Sequence, residues 1–151
     1  MIKFPHNFLW GAATSAYQVE GDNANSDWWQ WEKDAGRENS GRACRHYEFY
    51  AEDFDLAKSL NHNAHRFSIE WSRIEPEEGK FSEAELKHYL DVILALRGRN
   101  IEPFVTLHHF TNPLWFSKSG DGRIGVLQLN FCVTAILWCA PWQSMSVTGS
   151  L

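Results

Sequence analysis

The chain has 151 residues and a formal net charge of −5, enough for one ordinary domain with a sizeable core. That charge excludes the basic field that recruits nucleic acid or anionic lipid. Cys44, Cys132 and Cys139 show neither metal-ligand spacing nor a paired framework, which points to a reduced, cytoplasmic setting.

In chain order, Phe8 to Tyr17 (FLWGAATSAY) reads as a first strand ending at Gln18, with Gly11, Ala12 and Ala13 small enough for close approach of a neighbour. Asp22 to Gly41 is polar, aromatic and Gly-punctuated, and is expected as a long functional loop. Tyr47, Tyr50 and Phe54 recur at helical spacing within His46 to Leu60, an amphipathic helix stopped by Asn61 to Asn63. The chain is organised around Ala64 to Phe81. There Phe67, Ile69 and Trp71 alternate with Ser68, Glu70 and Ser72, the period of a strand that must stop before Pro76. Ser82 and Glu85 form an S-x-x-E box opening a helix that runs to Arg99. Glu102 to Phe110 is a third strand, an apolar run ending in two histidines.

The order β-α-β-α-β is the repeating unit of a parallel α/β fold. Polar residues gather where these strands end: Gln18 and Glu20, then Glu70 to Arg73, then His108 and His109. In a parallel α/β barrel that rim builds the active site. Each residue also has a plainer use, since histidines after a strand are commonly structural and an arginine before one commonly forms an ion pair. His108 and His109 are adjacent, hence on opposite faces of a strand, which makes a two-histidine metal site poor. From the residues alone comes part of an α/β barrel with a polar site, and no reaction.

Four ordered blocks add more: FPHNFLWGAATSAYQVEG, SGRACRHYEFYAEDFDLAKSL, HRFSIEWSRIEPEEGKF and EPFVTLHHFTNPLWF. Together they resemble the N-terminal part of glycoside hydrolase family 1, the retaining β-glucosidases and their relatives. The resemblance implies roughly the first three β/α units of a TIM (β/α)₈ barrel over residues 1–122. It implies action on terminal non-reducing β-linked sugars with no metal or organic cofactor. By the same resemblance Gln18 and His109 bind hydroxyls of the sugar. Phe110 stands as a wall where the family usually has Trp, and Arg66 orients the nucleophile carboxylate and keeps it ionised.

Retaining glycosidases need two carboxyl groups about 5 Å apart. The family carries them in T-x-N-E-P and (I/V)-T-E-N-G motifs, and neither occurs in the chain; Glu75-Pro76 and Glu102-Pro103 lack the preceding Asn. The chain as written is therefore expected to be inactive; three strands of an eight-strand barrel also leave an open edge, so low stability and aggregation are expected. Residues 123–151 form a second region. From Ile124 onward it has no Asp, Glu, Lys, Arg or His. Gln128, Asn130 and Pro141 weaken a membrane span from Ile124 to Trp142. A shifted reading frame fits better: read one frame over, codons for Val147 to Leu151 permit Arg-Tyr-Trp-Val-Thr, which resembles the family's path to its fourth strand. A non-catalytic carbohydrate-binding remnant and a membrane-tethered fragment are the competing readings, separable by a chromogenic β-glucoside, a sugar titration and detergent partitioning.

Overall fold

The computed structural model describes residues 3–119. Three short strands, β1 (Gly11–Ala13), β2 (Ala64–Ser68) and β3 (Glu102–Thr106), form a parallel sheet in the order β1-β2-β3. Gly11 is level with Ala64, and Ala64 with Glu102. After β1 come α1 (Ala16–Val19), α2 (Asp27–Asp34) and α3 (His46–Ser59). After β2 come α4 (Trp71–Ile74) and α5 (Glu83–Gly98), and α6 (Leu114–Ser119) follows β3. Parallel neighbours cannot be joined by a tight turn, and α3 and α5 supply the two return crossovers.

Those two helices cover one face of the sheet. Phe54 and Ala57 of α3, with Tyr89, Val92, Ile93 and Leu96 of α5, close over Phe67, and Val105 packs alongside. Ser82 caps α5 by accepting from the Glu85 backbone N–H at 3.3 Å. The reciprocal half of the expected box is absent, because the Glu85 carboxylate is drawn across to α3, where Tyr47 Oη donates to it at 3.0 Å. Arg66 and Phe104 are register partners on the opposite face, where Phe104 remains 38% exposed.

Gly11 meets the expectation of close approach: a Cβ there would stand 2.0 Å from the Ala64 carbonyl oxygen. Gly11→Ala is expected to push β1 away from β2 at a cost of about 1–3 kcal/mol, read as a lower urea midpoint.

Four elements differ from the sequence reading. The first strand is short, because the Ser68 hydroxyl accepts from Ala16 N at 2.8 Å and turns the chain into α1. The stretch expected as a loop contains α2: Ser26 accepts from Trp29 N, Asp27 sits in the first turn, and Gly36 (φ 63) follows the last one. The second strand stops at Ser68, since Glu70 caps α4 and carries Trp71 onto a helix. The third strand ends at Thr106, before both histidines. Among the described residues no helix is long and apolar enough to cross a membrane, and the expectations for residues 123–151 lie outside those residues.

Candidate functional site

The C-terminal ends of the strands carry a polar frame centred on Glu70, which is 1% exposed. Its carboxylate accepts from Asn23 Nδ2 at 3.3 Å, Ser72 Oγ at 2.9 Å and Thr111 Oγ1 at 2.9 Å. Asn23 follows β1, Ser72 follows β2 and Thr111 follows β3, so one buried acid ties together the segments leaving all three strands. Burial raises its pKa, against the pull of the Ser72 and Thr111 donors.

Glu20 is the second buried acid. It accepts from Arg73 Nε at 3.0 Å and from Tyr89 Oη at 2.9 Å, while Arg73 Nη2 donates to the Gly21 carbonyl at 2.5 Å. Burial outweighs the adjacent guanidinium and pushes Glu20 up to about 7. Glu75, fully buried, accepts from Trp71 Nε1 and Gly79 N, each at 2.8 Å. All three acids are occupied in holding loops. A further joint seats the segment after β3 on α2: the Asp27 carboxylate accepts from Asn112 N at 2.9 Å and Nδ2 at 2.8 Å, and Asp27 N donates to the Asn112 carbonyl at 2.9 Å.

The sequence candidates stand on this frame. Gln18 is exposed on α1, its Oε1 accepting from Ser15 Oγ at 2.5 Å. Phe110 is half-buried and meets Tyr17 edge-on at 5.8 Å and Trp28 at 5.5 Å; the exposed His109 ring lies 5.3 Å away. The Tyr17–Phe110 contact joins the segment carrying Gln18 to the one carrying His109. Arg66 is anchored separately, Nη1 donating to the Thr14 carbonyl at 2.6 Å. His108 turns away from His109, toward Asn112 Oδ1 at 3.1 Å and the Trp71 ring at 6.3 Å. Exposed polar groups beside an aromatic wall suit a polyhydroxylated ring, which offers hydroxyls at its rim and C–H bonds on its face.

The family model described as Glycosyl hydrolase family 1 matches residues 1–123. The chain belongs to glycosyl hydrolase family 1. It is 38% identical over 130 residues to a 1,4-beta-D-glucan glucohydrolase of Thermotoga neapolitana, covering 80% of this chain and 31% of that protein. Against a 6-phospho-beta-galactosidase of Clostridium acetobutylicum the identity is 39% over 127 residues, covering 80% and 27%. Among solved structures, a beta-glycosidase from Pyrococcus horikoshii superposes with a TM-score of 0.82 at 48% identity, covering 89% of this chain and 33% of that one. The chain thus spans about a third of the length of these relatives.

Two parts of this frame in the family 1 chain escape a reading of the sequence alone. Glu20 and Glu70 were expected among the polar residues at the strand ends, but nothing local marks either as buried or Glu70 as the tie between three loops. Helix α2 did leave a signal, Ser26-Asp27 followed by tryptophans at i and i+3, hidden by the glycines that lie beyond its end.

Two histidines behind the frame make stability depend on acid. His65 packs on Phe54 and His88 stacks on Tyr47 at 3.8 Å; both are pushed down from 6.5 to about 4, mainly by burial. The folded chain holds them neutral, so their contribution is complete above pH 6.5 and lost as pH falls towards about 4. Glu20 works in the opposite sense: raised from 4.5 to about 7, it contributes most below pH 4.5 and progressively less as pH climbs through about 7. His88→Gln removes one histidine, so the variant should lose less stability than wild type between pH 6.5 and 4.5 in urea unfolding.

Proposed function

We propose that residues 1–122 are the opening third of a retaining β-glycosidase barrel and supply one side of its pocket for the terminal non-reducing sugar. The observation that carries this reading is the Tyr17–Phe110 contact at the C-terminal ends of the strands, which draws the Gln18 and His109 segments together. In this reading Gln18 and His109 hold sugar hydroxyls, and Phe110 walls the ring. Arg66 faces the place where a nucleophile carboxylate is supplied by a later strand. Family membership and the three-stranded parallel sheet support it.

The 151-residue chain itself does not hydrolyse glycosides. Neither catalytic motif is in the sequence, and the acids near the strand ends are committed to backbone and side-chain donors. Residues 123–151 represent a shifted reading frame, which the nucleotide sequence tests. For the main reading, the purified chain is mixed with a chromogenic β-glucoside and separately titrated with methyl β-glucoside. The expected result is no colour release, with NMR shifts confined to Gln18, His109, Phe110 and their neighbours. Turnover overturns the inactivity, and shifts elsewhere or none at all overturn the pocket.

A further inference from the structure

The sheet order β1-β2-β3 leaves two outer edges among the described residues, and the two are built differently. On the β3 side, Glu102 N donates to the Asn63 carbonyl at 2.8 Å and Ile69 N donates to the Thr106 carbonyl at 3.0 Å. Backbone groups in a parallel ladder alternate in direction, so Glu102, Phe104 and Thr106 face β2 while Pro103 and Val105 face outward. Pro103 has no N–H to offer there, and the Arg97–Glu102 ion pair, 3.0 Å long, stands at the start of the strand. Proline and charge are the usual means of blocking an edge.

The β1 edge has neither. The Trp10 carbonyl accepts from Ala64 N at 3.1 Å, and Thr14 N donates to the Arg66 carbonyl at 2.9 Å. By the same alternation Ala12 faces β2, and Gly11 and Ala13 point their N–H and C=O groups outward. All three residues of β1 are exposed. From Phe4 to Val19 there is no Asp, Glu, Lys or Arg, so two copies of a chain of net charge −5 bring no like charge to this junction. Trp10 is 49% exposed and packs on Phe4 at 4.8 Å and Phe8 at 4.7 Å, which holds apolar surface beside the edge.

We propose that the β1 edge is an interface with a second copy of this chain, the two β1 strands pairing antiparallel about Ala12 into one continuous sheet. The outward groups are complementary to themselves in that arrangement. Gly11 exchanges both hydrogen bonds with the partner's Ala13, Ala13 does the same with the partner's Gly11, and Ala12 opposes its own copy. Opposed residues that share no hydrogen bonds stand with Cα atoms about 4.5 Å apart, a spacing that small side chains accept. Trp10 lies on the same face as Ala12 and reaches diagonally over the partner's Ala12. The interface does not depend on the sugar-pocket reading.

The test is sedimentation equilibrium of the purified 151-residue chain from about 1 μM to about 500 μM, the range in which so small an interface becomes populated. The mass is expected to rise to twice that of the monomer and no further. Ala13→Pro copies the Pro103 block and removes an outward donor without taking a bond from β2, so it should stay at monomer mass throughout, with an unchanged far-UV circular dichroism spectrum. Ala12→Lys and Ala12→Glu place like charges opposite each other and should each weaken the dimer about fivefold at low salt. An equimolar mixture of those two variants should recover it as a mixed dimer, because only about a two-fold axis does residue 12 meet itself. A wild-type chain that remains monomeric, growth beyond the dimer, a dimer that survives Ala13→Pro, or a mixture no tighter than either charged variant alone overturns the interface. Should Ala13→Pro unfold, the charged pair decides.

Discussion

Replacing Trp71 with alanine is expected to lower stability by about 3–5 kcal/mol, the range for emptying a buried aromatic site. The indole is 2% exposed and meets Trp115 edge-on at 5.7 Å and Phe116 at 5.0 Å, so its loss unseats α6. It also removes the Nε1 donor to Glu75, leaving the carboxylate of that fully buried acid with the Gly79 backbone N–H at 2.8 Å as its remaining donor among the described residues. Trp71→Phe separates the two effects: it keeps most of the packing and loses the donor, at an expected cost of about 1–3 kcal/mol. Urea unfolding at constant pH measures both. An alanine variant within 1 kcal/mol of wild type would mean that the helices beyond β2 and β3 do not unfold together.

Arg73→Ala is expected to cost about 3–5 kcal/mol, because it strands Glu20 in the interior without its cation. The guanidinium has several duties: it bonds Glu20, donates to the Gly21 carbonyl and lies over the Tyr47 ring at 4.3 Å. Without it the Glu20 carboxyl rises further above its unfolded value, so the folded variant keeps its proton to higher pH. The deficit against wild type should therefore grow as pH is raised past about 7. Adding Glu20→Gln to Arg73→Ala removes the stranded charge and should recover part of the loss. A deficit that is flat with pH and untouched by the second substitution would place the effect in packing alone.

The helices α3 and α5 were legible because each buries a stripe at 3.6-residue spacing. The strands were harder at their ends. Phe67, Ile69 and Trp71 alternate as in a strand, yet the ladder stops at Ser68, since Glu70 offers its carboxylate to the Ser72 backbone N–H and starts a helical turn. A side chain that caps its own backbone leaves no periodic trace. The same holds for Ser68 and the start of α1, which is a contact between residues 52 apart. Gln18, His109 and Phe110 were reached through the four sequence blocks, and the structure adds what the blocks lack: the Tyr17 and Trp28 rings that flank Phe110. Glu20 and Glu70 were placed among the polar residues at the strand ends, but their burial and their partners could not be read, and neither could those of Glu75, because burial comes from segments distant in the chain.

The bond from Asp27 to Asn112 joins residues 85 apart. Closing so long a loop is entropically late and kinetically slow. During synthesis, which runs from the N-terminus, α2 must wait for nearly the whole of β2, α5 and β3 to leave the ribosome before its partner exists. Through that interval Trp28 and Trp31 face solvent with Phe110 not yet made. The rim between α2 and the segment after β3 is therefore among the last parts of residues 3–119 that can close as the chain emerges.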